Sequence, residues 1–201
     1  MIASHDSLTY LPARRRWLEC LSFAWRTQGL SIAEQLEAGV RYFDVRVRWD
    51  KKTQSYRVCH GVVDFDRTFR TIEEIITLFA PNLVRIILER GDTSGFERDA
   101  ERIAIQRASG LYGNLHLLAV KHPWRQLYRS SYVTDPETGT AIESPGTVDH
   151  TYVPWDTGKT IWENLRAFKL STIKAWARKN PPQPCHLKDS ETVHFFDWIN
   201  G

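Results

Sequence analysis

The sequence predicts an α/β protein: a TIM-type (β/α) barrel, irregular or incomplete, with about seven to eight mostly parallel strands. Three observations predict it. Apolar periodicity switches repeatedly between two and about 3.6 along the 201 residues, so strand-like and helix-like stretches alternate. No internal repeat or second compositional zone interrupts the alternation, so residues 1–201 read as one domain. Ionisable residues recur at the carboxyl ends of successive strand candidates, where a barrel gathers its function.

The first strand candidate is the short stretch ahead of His5. The basic triplet Arg14-Arg15-Arg16 precedes Trp17, Leu18, Leu21, Phe23 and Trp25, which read either as a helix packed on the barrel or as a cationic, aromatic segment for a membrane interface. Ser31 and Glu34 form a capping-box pattern, and Gly39 stands where that helix would stop. Residues 41–47 alternate as a strand, with Phe43, Val45 and Val47 on one face and Asp44 and Arg46 on the other. Residues 56–60 form a second short strand, ended by Gly61. Thr71 and Glu74 repeat the capping pattern, and Pro81 closes the helix they open. Residues 83–89 read as a buried strand, and Ser94 to Glu97 opens a charged helix that Gly110 stops. Residues 115–121 are strand-like up to Pro123, and residues 130–150 read as a long polar loop. A short strand over 150–155, a long helix over 160–179 closed by Pro181-Pro182, and a final strand over 193–199 complete the pattern.

Composition excludes several classes. Hydrophobic residues at 42% and charged residues at 25% exclude a disordered tail, a collagenous fibre and a disulfide mini-protein. No apolar run approaches the roughly 18–20 residues that span a bilayer. With 27 Lys+Arg against 24 Asp+Glu, the net charge of +3 is too mild to indicate a nucleic-acid partner. Cys20, Cys59 and Cys185 are odd in number and widely spaced, which argues against a disulfide framework and a zinc site.

The strand-end residues are His5, Arg46, His60, Glu89, Lys121, Asp156 and Asp197. One such residue is commonly structural; the recurrence points to a shared pocket. Two histidines on opposite sides of a phosphodiester can act as base and acid. An arginine can hold the non-bridging oxygens and stabilise charge developing on them. Asp6 neighbours His5 and could serve either histidine. Asp44, two residues before Arg46 on the same face, could orient its guanidinium or form an ordinary surface ion pair with it.

Ser4-His5-Asp6-Ser7, the run Gln35 through Gly39 to Asp44-Val45-Arg46, and Cys59-His60-Gly61 together resemble the catalytic X-region of phosphatidylinositol-specific phospholipases C. The resemblance covers roughly residues 2–90 and is nearest the bacterial, metal-independent branch, which has His-Asp in the first motif and Asp-x-Arg in the second. It implies a phosphodiesterase in which His5 takes the proton of the inositol 2-hydroxyl, which attacks phosphorus to give a cyclic phosphate. His60 would protonate the leaving diacylglycerol oxygen, with Asp6 assisting. Arg46 would bind phosphate, Asp44 would support Arg46, and Asp197 would pair with His5. Glu89 stands near a position that is lysine in that branch. Glu89, Lys121, Trp155 and Asp156 are candidate substrate contacts. Asp44 and Glu89 are the carboxylates that would hold a calcium or magnesium ion, but Arg46 puts a fixed charge where the ion would sit, so no cofactor is expected. The expected partner is a phospholipid at a membrane surface. The chain is expected to be a soluble monomer, cytoplasmic or secreted with its signal segment absent from this sequence. A metal-dependent glycerophosphodiesterase or sphingomyelinase-D-like enzyme, and a catalytically silent phospholipid-binding module, are the alternatives.

Overall fold

A computed structural model describes residues 1–121, 128–131, 147–150 and 193–196. They form β1 (Ile2–Ser4), a 3-10 helix (Arg16–Ala24), α1 (Ile32–Glu37), β2 (Tyr42–Asp50), β3 (Ser55–His60), β4 (Val63–Phe69), α2 (Ile72–Phe79), β5 (Leu83–Gly91), α3 (Ser94–Ala108), β6 (Leu115–Lys121), β7 (Tyr128–Ser131), β8 (Thr147–His150) and β9 (Val193–Phe196). The strands make one mixed sheet in the order β7-β6-β5-β2-β1-β9-β8, with β3 on β2 and β4 on β3.

The period-two pattern of β2 is realised in the core. Phe43, Val45 and Val47 pack with Val84, Ile86 and Leu88 of β5 and Leu118 and Val120 of β6. The helices α2 (Ile72, Ile75, Ile76, Phe79) and α3 (Phe96, Ala100, Ile103) cover this face at helical spacing. Each fully buried large side chain contributes about 1.5–3 kcal/mol, so this face, with its many such residues, dominates the stability of the sheet. The opposite face of β2 carries Asp44 and Arg46, and the parallel register sets Asp44 beside Arg85 and Arg46 beside Ile87.

Pairing along one edge of β2 positions the site. Parallel β1 pairs Tyr42 and Phe43 and ends there. Antiparallel β3 pairs residues 47–50 and runs back toward the middle of β2. The ends of the two strands therefore converge from opposite directions on residues 44–46. The turn after β1 closes the gap, with Ser7 N donating to Asp44 O at 2.8 Å.

Helix starts follow the sequence closely. Ser31 accepts from Glu34 N while Glu34 accepts from Ser31 N, the full capping box. Gly39 takes φ +91, the left-handed stop that a side chain resists. Thr71 accepts from Glu74 N, but Glu74 reaches back to Arg70 N instead.

Other expectations are corrected. The strand at 56–60 is not a parallel barrel strand: only residues 51–54 separate β2 from β3, far fewer than the dozen or so a parallel crossover needs, so the pair is a hairpin. A further antiparallel strand, β4, follows the two-residue turn Gly61-Val62. Among the described residues nine strands stand where about seven to eight were expected; five of their pairings are parallel, in keeping with a mostly parallel sheet, and three are antiparallel. α3 does open at Ser94 as expected; Thr93 precedes it without a side-chain cap, and Asp92 accepts from Ser94 N at 2.8 Å. The 130–150 loop has strand at both ends, in β7 and β8, and β8 ends at His150 where a strand was expected to begin. The final strand covers 193–196, and the helix expected over 160–179 lies outside the described residues.

Candidate active site

His5 and Asp6 sit in the turn after β1, held from both sides. Asp6 adopts a left-handed φ of 45°. Ser7 Oγ donates to Ser4 O at 2.9 Å and accepts from Asp44 N at 2.9 Å. Gln28 Nε2 donates to His5 O at 3.1 Å, and buried Gln35 donates to Ser7 O at 2.9 Å and Leu30 O at 2.7 Å. The gap at the edge of β2 brings the end of β3, and with it His60, to the same place.

The two imidazoles stand edge to face with centroids 6.5 Å apart. Asp6 lies between them, its Oδ2 3.5 Å from His5 Nδ1 and 3.3 Å from His60 Nε2. Its Oδ1 is 2.7 Å from Arg46 Nε. One buried carboxylate thus meets both histidines and the arginine, where the sequence reading left open which histidine it served.

Hydrogen-bond chemistry fixes how each ring presents itself. Arg46 Nη2 lies 2.6 Å from His5 Nε2, and a guanidinium only donates, so His5 Nε2 offers its lone pair and Nδ1, 3.5 Å from Asp6 Oδ2, carries the hydrogen. His60 Nδ1 is 2.7 Å from the carbonyl of Trp25, which only accepts, so Nδ1 keeps its hydrogen and Nε2 is left to exchange a proton. His5 Nε2 therefore presents a lone pair, and Nε2 is the atom through which His60 would exchange a proton.

Beneath them Asp44 is fully buried. Arg85 grips it with Nε to Oδ1 at 2.9 Å and Nη2 to Oδ2 at 3.2 Å. Oδ2 also meets Arg46 Nε at 3.3 Å, accepts from Asp6 N at 3.2 Å and lies 3.9 Å from His5 Nε2. Burial alone would raise this carboxyl, but Arg85, Arg46 and His5 outweigh burial and hold it well below the usual carboxylate range. The Asp44–Arg46 pair is therefore interior, not a surface ion pair. Arg46 Nη1 is 3.6 Å from Glu89 Oε1, so this arginine lies among three carboxylates.

His5, Asp6 and Asp44 also offer ligand atoms within 4.8 Å of one another, a cluster that could hold a cation. It differs from the Asp44–Glu89 pair expected from the sequence, and the guanidiniums of Arg46 and Arg85 already lie on its carboxylates.

The fold thus brings together His5, Asp6, Asp44, Arg46, His60 and Glu89. Lys121 is placed at the end of β6, paired with Tyr128. Trp155, Asp156 and Asp197 lie outside the described residues; β9 ends at Phe196, in register with Ser4. Sequence reasoning missed Arg85, although a charge inside an apolar strand, four residues before Glu89 and so on its face, was a usable signal. It also missed Ser7 and the Trp25 carbonyl; a backbone carbonyl leaves no signal in sequence.

No family model matches the chain, and no curated protein matches it. Solved structures do. The phosphatidylinositol-specific phospholipase C of Listeria monocytogenes is 16% identical with a TM-score of 0.57, over 98% of this chain and 87% of that one. The phosphatidylinositol-specific phospholipase C of Staphylococcus aureus, in a structure concerned with its membrane binding, is 12% identical with a TM-score of 0.56, over 100% and 86%. What is shared is a mixed α/β fold that in these neighbours belongs to phospholipases C.

Proposed function

We propose that the chain is a phosphodiesterase of the phosphatidylinositol phospholipase C type, built on a closed barrel. The observation that carries this reading is the pair of edge-to-face imidazoles, His5 with its Nε2 lone pair presented and His60 with its Nδ1 held by a carbonyl, with Asp6 between them and Arg46 beside them.

The chemistry follows from that arrangement. The substrate's 2-hydroxyl replaces Arg46 Nη2 at His5 Nε2 and gives up its proton there. Its oxygen bonds to phosphorus while the bond from phosphorus to the glycerol oxygen breaks, and that oxygen takes a proton from His60 Nε2. Arg46 turns from the carboxylates to the non-bridging oxygens, where a charge-assisted, bidentate contact stabilises the developing charge. Attack within one molecule gains from proximity and needs no bound water. The products are a cyclic inositol phosphate and diacylglycerol. Asp197 is the proposed further partner of His5; Glu89, Lys121, Trp155 and Asp156 are proposed substrate contacts.

A membrane-facing side fits this reading. Trp17 and Leu21 of the 3-10 helix are exposed beside the exposed Arg14, Arg15 and Arg16. Trp25 is buried against Phe65 and belongs to the core, so the aromatic cluster divides between the two roles set out for it. Among the described residues no helix is long and apolar enough to cross a membrane.

A second reading, a metal-dependent diesterase, is favoured by one observation, the His5, Asp6 and Asp44 cluster. Incubation with phosphatidylinositol, with and without chelator, separates the two. The proposed reading expects inositol cyclic phosphate in both conditions and its loss in His60→Ala; release abolished by chelator moves the assignment to the metal-dependent class.

A further inference from the structure

Arg85 and Asp44 form a fork-to-carboxylate pair at the floor of the site, with side chains 3% and 0% exposed. A buried carboxylate is costly unless a cation answers it. Two arginines are within reach, and they divide the work unequally. Arg85 spans both oxygens, whereas Arg46 touches only Oδ2 through Nε and sends its Nη atoms to His5 and Glu89. We propose that Arg85 is a positioning residue: by taking the charge of Asp44, it keeps Arg46 from being captured by that carboxylate and leaves it able to bind a phosphate. This rests on the reading of Arg46 as the phosphate clamp.

Without Arg85, the nearest cation to Asp44 is Arg46, already 3.3 Å away at Nε. Its guanidinium would turn onto Asp44 to answer the stranded charge, and its Nη atoms would leave the space between the histidines. Asp6 and Glu89 already draw on the same guanidinium, so a third unanswered carboxylate would leave little charge for a ligand. Lysine at position 85 keeps a charge but cannot span both oxygens, so Oδ2 would still draw on Arg46.

The test uses inorganic phosphate as the probe, with binding read by calorimetry on variants that melt cooperatively. Wild-type protein is expected to bind phosphate, and Arg46→Lys to weaken that binding. Arg85→Met is expected to weaken it about tenfold and Arg85→Lys about threefold, with Arg46 unaltered in both. The deciding variant adds Asp44→Asn: removing the stranded charge restores phosphate binding toward wild type in either background, which a packing role for Arg85 would not do. Where Arg85→Met does not fold, the Arg85→Lys background carries the comparison. Wild-type binding in the Arg85 variants, or no recovery on adding Asp44→Asn, overturns the proposal. Failure of the wild-type protein to bind phosphate, or binding indifferent to Arg46, is a different result: it removes the clamp reading itself, and this proposal with it.

Discussion

Asp6 shows how much one residue's backbone can decide. Next to His5 in sequence, it would ordinarily point away from it, yet its φ of 45° turns the carboxylate back between both imidazoles. Short polar side chains tolerate this conformation better than most, because they can bond locally. Arg46 is as tightly specified, with Nε between Asp6 and Asp44 and Nη2 on His5. Arg46→Lys replaces a planar fork by a point charge. If the clamp contributes about 1.5–3 kcal/mol of charge-assisted bonding to the transition state, turnover falls roughly 10–100-fold. Initial rates on phosphatidylinositol in mixed micelles measure this, and an unchanged rate would remove Arg46 from the mechanism. His5, Asp6, Asp44, Arg46 and His60 were legible as residues because their types and order are those that acid–base work on a phosphodiester would need. Arg85 was signalled only as a charge in a strand read as buried; what it answers became known only once the sheet set it beside Asp44.

The elements divide by whether their signal is local. The capping box at Ser31 and the stop at Gly39 were legible because each is a contact within one turn of chain. The start of α3 at Ser94 was legible too, and there the Asp92 carboxylate answers Ser94 N. Within α3, Gly95 answers a tertiary demand: a Cβ there would overlap the indole of Trp49, which also packs on Tyr56 with ring centroids 4.7 Å apart. Gly95→Ala should therefore destabilise the fold by about 1–3 kcal/mol, as overpacking does, despite alanine's better helix propensity; urea denaturation measures it, and a stabilised variant would contradict the packing. In the 3-10 helix, Trp17 is 62% exposed. Trp17→Ala should weaken partition onto anionic vesicles by about 3–10-fold while leaving the melting temperature unchanged; sedimentation with vesicles decides it.

At the scale of the whole molecule, Asp44 ties stability to pH. Burial raises its carboxyl, but Arg85, Arg46 and His5 more than reverse that, so the folded group titrates below an unfolded aspartate. Stability from this site is therefore fully present above about pH 4–5 and is lost as pH falls below about 4, where the unfolded chain takes up protons that the folded site refuses. Thermal melts between about pH 7 and pH 3 should show the melting temperature falling in acid, with a shallower fall in Asp44→Asn.

The sequence by itself determined the mixed α/β character, the core faces of β2 and the helices, and the residue types of the site, because periodicity, caps and motif order are properties of neighbouring residues. Tertiary structure decided how the strands pair. That residues 55–69 form hairpins, so that β1 and β3 meet end to end along the edge of β2, depends on hydrogen bonds to other strands. The same pairing decided that Arg85 answers Asp44. The site exists where two strand ends converge on residues 44–46, and distances across strands are set by the sheet, not by separation along the chain.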